Sequence, residues 1–177
     1  WLKKMVAGDA SAGANRSDRS RYLGAFSSVD LAEVQYQTFA KIPLKLPLKK
    51  SLGKKKKALS RTLSAYEKVL DYGVQEFTTR ASYRLGEIYA QLSRDLMQSQ
   101  RPKGLDALAL EQYEILLEEQ AFPFEEKAIE IHELNAQRAW QGVYDSWVQE
   151  SYGALKTLLP GRYNKAESRV EVSDVIY

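Results

Sequence analysis

The feature that most constrains this chain is apolar residues recurring at helical spacing from about Leu59 to Leu159, interrupted at prolines. Leu59, Leu63, Tyr66 and Leu70 lie four, three and four residues apart, which puts them on one helix face. Ala58, Thr62, Ala65 and Val69 flank them with small or short side chains. Phe77, Ala81, Leu85, Ile88, Leu92 and Leu96 form the clearest stripe. Helices are therefore expected from a start near 54–59 to about 72, and over about 76–98, 107–120 and 125–159. Gly73 suits the end of the first, Pro102 and Gly104 separate the second from the third, and Pro123 breaks the third from the fourth. In the third, Leu108, Tyr113, Leu116 and Leu117 are assigned to the inner face. In the fourth, Gly142 and Gly153 mark places for a bend or a close crossing, and Pro160-Gly161 ends the helix.

Upstream the pattern weakens. Residues 7–28 are small and polar and offer little to bury, so they read as a linker. Trp1 to Val6 read as the end of an upstream unit, since the chain opens on tryptophan as a fragment or processed product would. Asp30 caps an expected short helix to about Ala40. Pro43 and Pro47 then forbid regular helix and extend the residue before each, giving an extended basic arm. The division expected is 1–28 linker, 29–58 short helix plus arm, 59–160 helical domain and 161–177 tail. Val170, Val172, Val175 and Ile176 in the tail suit a short strand.

The fold class expected is all-α, built of stacked antiparallel helical hairpins. A closed bundle and an open solenoid both fit helices joined by short turns. Leu85-Gly86 followed by Tyr89 reproduces the L-G-x-x-Y core of a tetratricopeptide helix. Ser82 stands where that motif has a large aromatic, with Tyr83 one residue off. Gln98 and Pro102 stand where small and aromatic residues belong. Tyr152 and Pro160 keep the spacing of a terminal second helix.

Catalytic hardware is sparse. The chain has one histidine and no cysteine, which excludes disulfides, zinc–thiolate sites and thiol chemistry. His132-Glu133 begins a zinc-protease pattern, but Ala136 occupies the second histidine's place, so a hydrogen-bonded helix-face histidine is the reading. No cofactor is assigned. Gly53 before Lys54 fails as a phosphate loop, because Leu48 replaces the required glycine and Lys55 the hydroxyl residue.

Charge is unevenly distributed. Nine basic and no acidic residues lie between Lys41 and Arg61, and nine acidic residues with only Lys127 opposing them lie between Asp106 and Glu133. Such asymmetry steers a partner or draws the two segments together. The candidate partner contacts are Lys54, Lys55, Lys56 and Lys57, the acidic helix face of Glu126, Glu130 and Glu133, and the aromatic row Trp140, Tyr144 and Trp147. Those acids also suit a helix N-terminus, and the aromatics also suit a core.

The blocks RPKGL (101–105), EQYEILLEEQAFPFEEKAIEIHE (111–133) and LLPGRY (158–163) carry a family likeness. From about Ile42 onward the chain resembles the C-terminal region of long tetratricopeptide-repeat proteins of the Gram-negative cell envelope. The genes of that family accompany Tol/Ton-type motor and gliding-like machinery. The resemblance implies a periplasmic, non-enzymatic adaptor that binds envelope proteins. The alternative is a nucleic-acid-associated helical protein, in the cytoplasm, binding through Lys41–Arg61.

Overall fold

The computed structural model describes residues 1–165. Among them the chain is all-helical: α1 (Leu2–Ser11), α2 (Asp18–Ala40), α3 (Leu48–Leu70), α4 (Gln75–Met97), α5 (Ala107–Ala136), α6 (Ser146–Leu158) and α7 (Pro160–Tyr163). Two short 3-10 turns, Gly13–Asn15 and Gln137–Gln141, complete the order. No described helix is long and apolar enough to cross a membrane. The four tail residues expected in a strand lie outside the described residues.

Each helix packs against its predecessor, and α2, α4 and α6 also touch in turn. The main core runs from α2 to α5 through Val29, Phe39, Tyr66, Val69, Phe77, Ile88, Leu92 and Leu96. All six stripe residues of α4 are buried, as their spacing predicts. Val148 and Leu155 of α6 are buried beyond that cluster.

The expected linker at 7–28 is replaced by the end of α1, a turn and the first half of α2. Ser17 and Ser20 form a reciprocal cap at the start of α2, each side chain accepting the other's backbone N–H at 3.1 Å. Asp9 of α1 is nearly buried and accepts from Arg16 Nε (2.7 Å) and Ser20 Oγ (2.9 Å). Gly24, Ala25, Ser27 and Ser28 are all buried. Small residues carry little apolar area, but they let helices approach closely. A Cβ on Gly24 would lie 2.7 Å from the Tyr72 ring.

The basic arm is shorter than expected. Non-helical chain occupies 41–47, and α3 begins at Leu48, with Pro47 as its N-cap, rather than near residue 54. Proline is tolerated there because the first helical N–H groups have no intrahelical partner. The α3 stripe is Leu48, Leu52, Lys55, Leu59, Thr62, Tyr66 and Val69, with a lysine in an interior position. That lysine hid the first two turns from a hydrophobic count. Gly73 follows the helix with φ +65°, as its placement predicts.

Pro123 does not break a helix, because α5 runs through it for 30 residues. The proline removes the donor for the Glu119 carbonyl, and both residues are exposed where water can substitute. The expected long helix over 125–159 is instead two. It breaks after the 3-10 turn at Gly142, whose φ is +83°. Asp145 starts α6, its Oδ1 accepting from Trp147 N and Val148 N at 3.0 Å each. Leu108 and Leu116, assigned inward, are 64% and 58% exposed, whereas Leu117 is buried.

Candidate interaction surfaces

The lysine run divides. Lys54, Lys56 and Lys57 are exposed, but Lys55 is fully buried, which removes it from any contact surface. Its Nζ donates to Ile42 O (2.8 Å) and Phe39 O (3.4 Å), lies 4.6 Å from the Phe39 ring centre, and pairs with Asp95 Oδ2 at 2.5 Å. One cation thereby ties α3 to the end of α2 and to α4. The segment after α2 also reaches α4's end: Gln100 N donates to Leu44 O, and Leu46 N donates to Gln100 Oε1. Among the described residues no ion pair joins the basic segment 41–61 to the acids of 106–133.

The acidic face divides likewise. Glu126 is exposed, Glu130 pairs with Lys127 at 2.7 Å, and Glu133 is half-buried. Glu133 Oε1 accepts from Arg162 Nη1 (2.7 Å) and Tyr163 OH (2.9 Å), fastening α7 to α5. That hydrogen bond adds to burial in pushing the Tyr163 phenol up.

The break at Gly142 scatters the aromatic row. Trp140 is 88% exposed on the 3-10 turn, and Tyr144 is 61% exposed in the following loop. Trp140 borders a cleft of about 340 Å³ with Glu133, Gln137, Tyr152, Arg162 and Tyr163. Tyr152 sits between Tyr144 and Tyr163, each ring centre 6.4 Å away. Trp147 turns the other way and is half-buried. It stands 5.6 Å from Tyr83, with Arg80 and Arg84 over its ring at 5.4 and 5.9 Å. Arg84 also lies over Tyr36 at 5.1 Å and pairs with Glu33 at 3.3 Å, linking α2, α4 and α6. Burial raises the Tyr36 and Tyr83 phenols above their usual range.

A polar cluster absent from the sequence reading lies between α4, α5 and α6. Asn135 Nδ2 donates to Ser151 Oγ (2.8 Å), Thr79 O (3.2 Å) and Trp147 O (3.3 Å). Thr79 Oγ1 donates to Asp145 Oδ2 at 2.6 Å. His132 Nδ1 is 3.4 Å from Ser151 Oγ, and its Nε2 is 3.8 Å from Glu87 Oε1. The order hydroxyl, imidazole, carboxylate resembles a nucleophile relay. Burial decides against one here: Ser151 and His132 are both 0% exposed, so no substrate can reach the hydroxyl. Ser151 Oγ already donates to Trp147 O at 3.0 Å. Burial, with a smaller effect from Arg94, pushes the His132 pKa down to about 4, so the ring is neutral at pH 7. The one signal for it in the sequence is Gly86. A Cβ on Gly86 would meet His132 Nε2 at 2.5 Å.

No protein family, curated protein or solved structure matches this chain. The class that the described residues define is all-helical, with helices that pack in chain order.

Proposed function

We propose that this chain is a non-enzymatic scaffold that binds other proteins, built as a tetratricopeptide-like stack of helical hairpins. Three features support the repeat reading. Helices pack in succession, alternate helices α2, α4 and α6 touch, and Gly86 of the L-G-x-x-Y sequence lets α5 approach α4. The observation that carries the binding role is the exposed Trp140 on the α5–α7 cleft, with the exposed Tyr144 packed near the cleft residue Tyr152, since such aromatics dominate protein interfaces. Placement in a bacterial cell-envelope complex, on the periplasmic side, rests on the family resemblance alone.

The test is affinity capture from envelope and soluble fractions after nuclease treatment, using the chain and its Trp140→Ala/Tyr144→Ala form. Envelope proteins recovered by the first and lost by the second are the expected result. Equal recovery by both forms would remove the aromatic cleft from the function.

A second reading has its own support. Lys49, Lys50, Lys54, Lys56, Lys57 and Arg61 are exposed on α3, and none makes an ion pair among the described residues. Clustered cations of this kind bind phosphate backbones with a steep salt dependence. Filter binding that weakens steeply with salt, and vanishes in Lys54→Glu/Lys56→Glu/Lys57→Glu, would favour nucleic acid over a protein partner.

A further inference from the structure

Two exposed apolar features of this molecule have opposite charge. The first is a groove of about 620 Å³ between α1, α2 and α3. Val6, Leu31, Val34 and Ala65 supply its apolar lining, and Val34 is 59% exposed. Among the described residues the charged side chains lining it are Lys3, Arg61 and Lys68, all exposed.

The second feature is a ridge on the first half of α5. Leu108, Ile115 and Phe122 recur every seven residues and are 64%, 50% and 56% exposed. Side chains at that spacing fall on one helix face and suit insertion between two other helices. Glu118 and Glu119 lie between Ile115 and Phe122 and border a small cleft with them. No basic residue occurs from Asp106 to Glu126. Among the described residues the ridge is left uncovered, because α6 is only 13 residues long and its contacts with α5 involve α5's far end, where Tyr152 OH donates to Ala136 O.

We propose that the α1–α2–α3 groove receives the α5 ridge of a second copy of this chain, with Glu118 and Glu119 facing Lys3, Arg61 and Lys68. Both features stand exposed in the folded chain, so they do not satisfy each other within one molecule. The lengths agree. Ile115 to Phe122 spans about 10 Å of helix at 1.5 Å per residue, and the groove wall from Arg61 to Lys68 spans the same. Placing apolar side chains in the groove removes them from water, and the charge pattern fixes which surface enters. The contact joins two different patches, so it builds a ring or an open chain of copies rather than a self-complementary dimer. This association is independent of the Trp140 cleft and of whatever partner binds there.

The experiment is sedimentation of the full chain from micromolar to near-millimolar concentration, at low and high salt. It compares the wild type with Arg61→Glu/Lys68→Glu and Glu118→Lys/Glu119→Lys. The expected result is wild-type mass that rises with concentration and falls with salt, with each variant at least about tenfold weaker in self-association. An equimolar mixture of the two variants restores association, because each then offers the charge that the other's surface needs. Restoration also shows that both variants are folded. A wild type that stays monomeric throughout overturns the proposal. Association that survives in both variants, or a mixture no better than its components, overturns it equally.

Discussion

Lys55 and His132 are both fully buried basic side chains at helix crossings, yet they solve opposite problems. Lys55 meets two backbone carbonyls, an aromatic face and the Asp95 carboxylate, so its cation has partners on every side. His132 meets a neutral hydroxyl and a carboxylate beyond hydrogen-bond range, and its pKa falls to about 4. The first site buries a charge by pairing it; the second buries a titratable ring by keeping it neutral. A buried basic group therefore need not be a functional one, and its partners decide whether its charge survives.

The largest effect is expected at the paired site. Lys55→Ala leaves Asp95 and two carbonyls without their partner and opens a void, for a loss of about 3 to 4 kcal/mol. Asp95 remains partly in water, which keeps the figure from being larger. Urea denaturation measures it. A loss below about 1 kcal/mol would mean that the cation is idle and only its hydrocarbon stem packs.

The neutral site is broken by acid. The unfolded chain protonates His132 near pH 6.5 and the folded chain only near 4, so between them the unfolded state holds more protons. Stability is full above pH 6.5 and falls by about 3 kcal/mol as the pH drops to 4. His132→Gln flattens that window in a denaturation series across pH. Asp9 is a separate contribution. The Arg16 hydrogen bond holds its carboxyl below 3.8, so its stabilisation is present above that value and lost as pH falls through the lower folded pKa. An unchanged pH profile in His132→Gln would show that the ring is not the titrating group.

Gly86→Ala forces a methyl against the His132 ring. The overpacking, less the gain in helix propensity, gives a net loss of about 1 to 2 kcal/mol. In a His132→Ala background the same substitution becomes neutral or favourable, and a double-mutant cycle reads the difference. Additive losses would place the strain elsewhere. The smallest effect is at the lysines beside Lys55: replacing Lys54, Lys56 and Lys57 by serine, one at a time, shifts stability by no more than about 0.5 kcal/mol in each case. A large loss at any of them would erase the contrast with Lys55.

The α4 stripe was legible because its six apolar residues keep helical spacing without interruption. The start of α3 was not, because Lys55 occupies a core position that a hydrophobic count scores as surface. The helical region around Gly24 to Ser28 was missed for the reverse reason: small residues bury little area each but permit close helix contact. Of the candidate contacts, Trp140, Tyr144, Glu126, Lys54, Lys56 and Lys57 lie exposed. Glu130 is exposed too, though paired with Lys127, whereas Lys55 is buried, Trp147 is half-buried against Tyr83, and Glu133 is engaged with α7.

The sequence by itself determined the helical class, the α4 stripe, the turn at Gly73 and the charge asymmetry between residues 41–61 and 106–133. These follow from periodicity and composition, which are local. Tertiary structure alone decided that helix continues through Pro123 and stops at Gly142, that one lysine of four is interior, and that His132, Asn135 and Ser151 meet. Those outcomes depend on which groups another helix brings alongside, and a buried polar atom is stable only when that neighbour satisfies it or leaves it uncharged.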